Sequence, residues 1–220
     1  MTIKLPEDYI VLDFETNGLP KNGDMSKVDI TEVAYIFVKN KEIEVSKTVS
    51  RLCNPGVPQT EKIIELTHIT DEMLKGQPSP IDLAKEVLIP IVQSNLHIVG
   101  HNIFGFDRLF LDKYCDALNI DRIDSQRYLD TAALFKTYRK SHRLKNKNWN
   151  LPNAYRDLPQ WTSEMLERSW ADDTVKYNLD AAVGYLTIHQ FGIAYERHRA
   201  LYDIILTQRV FEKLRIEMDI

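Results

Sequence analysis

Residues 9–19 read YIVLDFETNGL, and this stretch decides the fold. Ile10, Val11 and Leu12 form a short apolar run with β-branched residues in it, the mark of a buried strand. Two acids follow at Asp13 and Glu15, and then a turn at Thr16-Asn17-Gly18. Successive side chains of a strand alternate between faces, so Asp13 and Glu15 share one face. The pattern places them at the C-terminal end of the strand, where open α/β sheets carry their ligand sites. Two adjacent carboxylates repel unless a proton or a cation lies between them. All-oxygen donors of this kind suit Mg²⁺ or Mn²⁺. Two solvated acids at a strand end would read the same way, so the motif needs company.

Downstream, Val33 to Val38 and Ile43 to Val49 are strand candidates joined by the polar turn Lys39-Asn40-Lys41. Thr60 to Leu66 and Thr70 to Leu74 read as short helices. Ser79-Pro80-Ile81-Asp82 starts a longer helix, with Ser79 as cap, Pro80 in the first turn and Asp82 facing the exposed N–H groups. Pro90 is expected to end or kink it. Ile98-Val99-Gly100 is a short strand. Phe106 to Leu118 has helical apolar spacing, as does Thr131 to Tyr138 behind the natural cap Asp130. Leu179 to Ile188 is periodic again, and a last helix runs from about Ala200 to Glu217. Early strands followed by alternating strand and helix define an α/β class with a mixed sheet. A chain of 220 residues is of a size for one domain, read here as residues 1–220 with an insertion at about 139–176.

Composition narrows the function classes. Hydrophobic residues make up 44% and charged residues 27%, an ordinary globular balance. No apolar run reaches the roughly 18 residues of a membrane span. Met1 to Asp8 lacks the pattern of a secretory signal, so a cytoplasmic, non-secreted chain is expected. Cys53 and Cys115 make neither a zinc motif nor a disulfide framework. The net charge of −4 does not advertise a nucleic-acid partner, yet the charge is uneven. Lys136, Arg139, Lys140, Arg143, Lys145 and Lys147 form a basic run without an acid. It reads either as a solvated loop or as a phosphate-contacting edge.

Two further elements carry chemistry. Asp107 closes Gly100-His101-Asn102-Ile103-Phe104-Gly105-Phe106-Asp107, just after a strand and at the start of a helix. His198 precedes the last helix, with Asp203 in that helix's first turn. Each acid could simply complement a helix dipole. Histidine is the side chain suited to exchanging a proton near neutral pH. No dinucleotide-binding or P-loop glycine pattern is present.

Taken in order, Asp13-x-Glu15 followed by Thr16-Asn17-Gly18-Leu19, then Gly-His-Asn ahead of Phe106-Asp107, then His198 five residues before Asp203, the series resembles the DEDDh branch of the DnaQ-like 3′→5′ exonucleases. Leu66-Thr67-His68-Ile69-Thr70 and Tyr177-Asn178-Leu179-Asp180-Ala181 look like further segments of that family. The branch with tyrosine in place of the histidine wants Tyr four residues before the aspartate, where this chain has Arg199.

The resemblance implies an RNase H-like mixed five-stranded sheet flanked by helices. It implies that Asp13, Glu15, Asp107 and Asp203 hold two divalent cations, Mg²⁺ or Mn²⁺, with His198 as general base. It implies hydrolysis at the 3′ ends of single-stranded DNA or RNA, with release of 5′-mononucleotides. Thr16, Gly18 and Leu19 would hold the terminal nucleotide, His68 would contact its backbone, and Asn102 and Phe106 would line the base pocket. Residues 139–176, with Trp149, Trp161 and Trp170, do not match the family, and would grip the strand, bind a polymerase or other protein, or pack as an appendage. Two other readings share the fold: a non-catalytic module that binds nucleic acid or a polymerase, and an endonuclease with the same acidic site. The complete set of five residues speaks against the first.

Overall fold

A computed structural model describes residues 4–20, 24–143, 176–189 and 198–220. Its centre is the strand β1 (Tyr9–Thr16). β2 (Ile30–Lys39) pairs with it antiparallel on one side. β5 (His97–Gly100) pairs with it parallel on the other, and β6 (Tyr128–Asp130) extends the sheet parallel to β5. The outer edge of β2 is covered by β3 (Glu42–Ile43) and β4 (Val49–Leu52). The mixed sheet therefore has six strands among the described residues, where five were expected.

The extra strand comes from a split. Asn40 and Lys41 both adopt positive φ, 50° and 70°, the geometry of a tight hairpin turn that matches strand twist. Two residues of pairing follow, and then the chain steps outward through a 3₁₀ turn at Val45–Lys47 before it rejoins β2. Val45 lies outside the core at 79% exposure. The run Ile43 to Val49 is thus two short strands rather than one. β6 went unseen in the sequence because three residues are too few to show a period.

The helices form the two outer layers. α1 (Glu61–Thr67) and α2 (Asp71–Leu74) start at Thr60 and Thr70, whose hydroxyls accept the N–H of Ile63 and Met73. α3 (Pro80–Gln93) starts at Ser79, which accepts the Asp82 N–H. Of the two effects expected of Pro90, the ending of α3 does not occur, and the helix continues to Gln93. Pro90 sits on the exposed side of the helix. α4 (Asp107–Ala117) packs beside α3, and α5 (Thr131–Arg143), α6 (Leu179–Tyr185) and α7 (Ala200–Met218) follow.

The period of β1 sorts the core. Ile10, Leu12 and Phe14 face α3 and α4 with Leu83, Val87, Ile91 and Phe110. Tyr9 and Val11 face α7 with Ile204, Val210, Phe211 and Leu214. Asp13 and Glu15 continue this second face, so the acids emerge on the α7 side of the sheet. Cys53 and Cys115 are buried and unbridged. No helix among the described residues is long and apolar enough to cross a membrane.

Arg127 ties the end of α3 to the sheet. Its guanidinium donates to the carbonyls of Leu96, Val92 and Ile91 at 2.9, 3.0 and 2.9 Å. These are carbonyls at and just beyond a helix C-terminus, where a cation is favoured. Arg127→Ala leaves them half-buried and without that partner. The expected cost is about 3 kcal/mol, because charged hydrogen bonds contribute ~1.5–3 kcal/mol each and are not additive. A urea unfolding midpoint unchanged by this substitution would show that the clasp contributes nothing.

Candidate active site

The acidic site lies at the C-terminal ends of β1 and β5. Asp13 and Glu15 on β1 and Asp203 in the first turn of α7 each place a carboxylate oxygen within 4.8 Å of the others. Asp203 is 8% exposed, while Asp13 and Glu15 are half-buried. Asp107 joins them from the first residue of α4, at 1% exposure. Its Oδ1 accepts the Phe14 N–H at 3.1 Å. This bond has a reason in the sheet. β5 pairs with β1 only over Tyr9 to Val11, so the Phe14 N–H has no strand partner on that side. Asp107 fills the gap and is thereby pinned to the backbone between Asp13 and Glu15.

The loop that delivers Asp107 is compact. Asn102 adopts positive φ of 66°, and its backbone N–H donates to Asp130 Oδ1 at 3.0 Å. A side chain at Gly105 would come within 2.7 Å of the Asn102 amide, and one at Gly100 within 2.8 Å of Ile103, so both glycines permit close approach. Asp130 Oδ1 also accepts the N–H groups of Ala132 and Ala133, which confirms it as the cap of α5. His101 bridges Thr131 Oγ1 and the Tyr177 carbonyl at 2.8 and 2.7 Å.

Burial and mutual repulsion govern the electrostatics. Asp13 is pushed well above the carboxylate range, first by desolvation and then by Asp107, Glu15, Asp203 and Glu32. Glu15 is raised to about 9 by desolvation, Asp203, Glu32 and Asp107. Asp107 is raised to about 8 by desolvation, against the lowering effect of its backbone hydrogen bonds. Such a group holds protons when alone and releases them to a cation. The donor set is all oxygen, from carboxylates on three separate elements, and it fits hard divalent ions.

His198 stands two residues before α7, half-buried and with φ of 62°. Among the described residues, no hydrogen bond or ion pair joins its imidazole to the carboxylates. The structure thus clusters Asp13, Glu15 and Asp203, and holds Asp107 on the Phe14 N–H beside them. Of the other expected contacts, Thr16 is buried and donates its hydroxyl to the Gly18 carbonyl at 2.6 Å, which closes the turn after β1. Leu19 projects at 72% exposure. His68 is an exposed left-handed cap of α1. Asn102 is exposed, and Phe106 packs edge-on against Phe110 at 5.3 Å.

The basic run is corrected in part. Lys136 is buried, with its ammonium 4.5 Å from the Tyr177 ring centre. The Arg139 guanidinium lies 4.5 Å from the Tyr185 ring centre. Both are held by aromatic faces where α5 meets α6 and the segment just ahead of it, an attraction available to any cation over a ring. Residues 139–143 also continue α5 instead of opening the insertion. Lys145, Lys147 and the three tryptophans lie outside the described residues.

Sequence reasoning missed Glu32. It is directly opposite Glu15 in the β1–β2 register and is 1% exposed. Its carboxylate takes the Arg199 guanidinium through Nε and Nη2, both at 2.9 Å, and the Ala200 N–H at 3.0 Å. The signal was present as one acid inside the apolar run Ile30 to Val38. Just beside it the register slips between Glu15 and Thr16, which leaves Thr31 unpaired as a bulge. Bulges of this sort bend a strand and often flank active sites.

Comparison with known proteins finds both sequence relatives and similar folds. The chain is 35% identical over 140 residues to a "DNA polymerase III PolC-type" of Lacticaseibacillus paracasei, covering 62% of this chain and 9% of that protein. It is 41% identical over 108 residues to the protein so described in Halalkalibacterium halodurans, covering 49% and 7%. The chain therefore spans less than a tenth of the length of these curated relatives. Exonuclease X, solved in complex with 5′ overhanging duplex DNA, shares the fold with a TM-score of 0.58 at 20% identity, covering 94% of this chain and 91% of that one. The nuclease domain of 3′hExo, a DEDDh family member bound to rAMP, does so with a TM-score of 0.58 at 14% identity, covering 97% and 92%. E. coli Exonuclease I with a dA16 oligonucleotide has a TM-score of 0.64 at 14% identity, covering 96% and 41%. The RNase_T family model, described as Exonuclease, matches residues 10–211, and the chain belongs to that exonuclease family.

Proposed function

We propose that the chain is a metal-dependent 3′→5′ exonuclease that removes nucleoside 5′-monophosphates one at a time from single-stranded DNA or RNA. The observation that carries this reading is the cluster of Asp13, Glu15 and Asp203 oxygens within 4.8 Å, with Asp107 pinned alongside. These four acids would hold two divalent cations. When bound, the cations supply charge stabilisation for the attacking and departing oxygens of an in-line displacement. His198 takes the proton from the attacking water, a role suited to an imidazole near neutral pH. Water adds across the P–O3′ bond, so the released nucleotide keeps its 5′-phosphate and the shortened strand ends in a new 3′-hydroxyl. The Thr16–Gly18 turn holds the terminal sugar, and Leu19 is exposed for wedging beside the terminal base. His68 touches the backbone, and Asn102 and Phe106 border the base. The DNA and nucleotide ligands of the similar structures support a nucleic-acid substrate. The match to a small part of PolC-type polymerases supports work beside a polymerase.

The test uses 5′-labelled DNA and RNA strands and a single-stranded circle, with EDTA, Mg²⁺ or Mn²⁺. The expected result is a ladder in one-nucleotide steps that needs metal, with the circle intact. An opened circle would mean internal cutting. Binding without any product in metal would favour the non-catalytic module.

A further inference from the structure

Glu32 and Arg199 are absent from the five residues that define the site, yet they join its two halves. Glu32 is on β2, opposite Glu15, and Arg199 is the residue between His198 and α7. Arg199 caps α7 in position only, since its side chain makes no cap hydrogen bond. The capping acceptor comes instead from across the sheet, as Glu32 Oε2 takes the Ala200 N–H at 3.0 Å. An anion there is also well placed against the helix dipole.

The remaining capacity of Glu32 is used as well. Oε1 accepts Arg199 Nη2 at 2.9 Å and the Ser50 hydroxyl at 3.3 Å, and Oε2 accepts Arg199 Nε at 2.9 Å. A carboxylate so engaged is a strut, not a fifth metal ligand. The fork is rigid because a guanidinium meets a carboxylate in two parallel hydrogen bonds. It is seated one residue after His198, whose left-handed backbone a non-glycine residue keeps only where its surroundings impose it.

We propose that the Glu32–Arg199 ion pair is the strut that sets His198 against the carboxylate cluster, so that both are positioning residues for the hydrolytic step. The proposal rests on the reading of His198 as proton acceptor. It also gives Arg199 a task at the position where the tyrosine branch carries its own side chain.

A double-mutant cycle on the full chain tests it, with a 5′-labelled single strand, saturating Mn²⁺, and His198→Ala, Arg199→Met and the pair. Arg199→Met should lower kcat about 10- to 100-fold, the usual effect of losing a residue that orients a catalytic group. KM should change by less than about threefold, and Mn²⁺ binding followed by electron paramagnetic resonance should hold within about threefold. In the His198→Ala background the same substitution should lower kcat by less than about threefold, because a residue acting through the imidazole has nothing left to position. Glu32→Gln/Arg199→Met removes both charges together and keeps an acceptor for Ala200. It should show the same dependence on His198, and it serves if Arg199→Met alone does not fold. Arg199→Lys, which keeps the charge without the fork, should recover only part of the rate. Equal losses in both backgrounds overturn the strut. A wild-type chain that is active but no slower as His198→Ala overturns the histidine's role and the strut with it. A wild-type chain inert in metal overturns the nuclease reading itself.

Discussion

Asp13→Ala is expected to lower the metal-dependent nuclease rate by about 10²- to 10³-fold, as loss of a preorganised electrostatic group does. Asp13 is the acid that feels all the others: Asp107, Glu15, Asp203 and Glu32 all raise its pKa. It also shares the face of β1 with Glu15, and its oxygen lies within 4.8 Å of oxygens of Glu15 and Asp203. The same crowding predicts an opposite effect on stability. Without metal, an ionised Asp13 is repelled from every side, and removing it relieves the folded state. Asp13→Asn should therefore melt at or above the wild-type temperature in EDTA while losing the activity. This divergence between function and stability is what a strained catalytic cluster produces. The two readouts are the product ladder on a labelled strand and thermal melting in EDTA. A variant that keeps its rate would place the chemistry elsewhere, and one that melts well below wild type in EDTA would show that Asp13 is structural.

Metal should stabilise the fold, and more so at high pH. Glu15 is raised to about 9 and Asp107 to about 8, both by desolvation before any other cause. In the unfolded chain these groups ionise near pH 4 to 4.5. Below that range both states are protonated and their contribution is fully present. As pH rises, the unfolded state releases protons first, so stability is lost progressively up to the folded values near pH 8 to 9. The metal-free protein should accordingly melt lower at pH 8.5 than at pH 5.5. A bound cation replaces those protons and reverses the loss. One ion at a hundredfold its dissociation constant contributes about 2.7 kcal/mol. For a chain of this size that is a rise of about 5–10 °C in melting temperature. Melting curves in EDTA and in excess Mg²⁺ across that pH range decide it. A metal shift that is as large at pH 5.5 as at pH 8.5 would contradict the assignment of these acids.

Much of the local structure could be read directly. Thr60, Thr70, Ser79 and Asp130 were expected at helix starts, and each accepts a backbone N–H there. Hydroxyl and carboxylate caps work over two or three residues, so chain order alone announces them. The elements that escaped were those decided by distant partners. The split at Val45–Lys47 depends on how the chain rejoins β2, and β6 exists only as a neighbour of β5. Local rules let Pro90 either end or kink α3, and the helix runs on to Gln93 with Pro90 on its exposed side. Lys136 and Arg139 read as an open basic face, yet Tyr177 and Tyr185, far along the chain, hold them.

The site divides along the same line. Alternation in β1 was enough to put Asp13 and Glu15 on one face, and first-turn positions were enough to mark Asp107 and Asp203, because both follow from backbone periods within a few residues. That the four acids meet was decided by tertiary structure, through a Phe14 N–H that β5 leaves open and a helix laid against β1. Glu32 makes the difference plainest. One buried carboxylate reaches Arg199 and Ala200 across separations of 167 and 168 residues, and no local rule can foresee a cap that arrives from another strand. Periodicity sets which way a side chain points, while the partner that makes its charge tolerable is chosen only when the layers close.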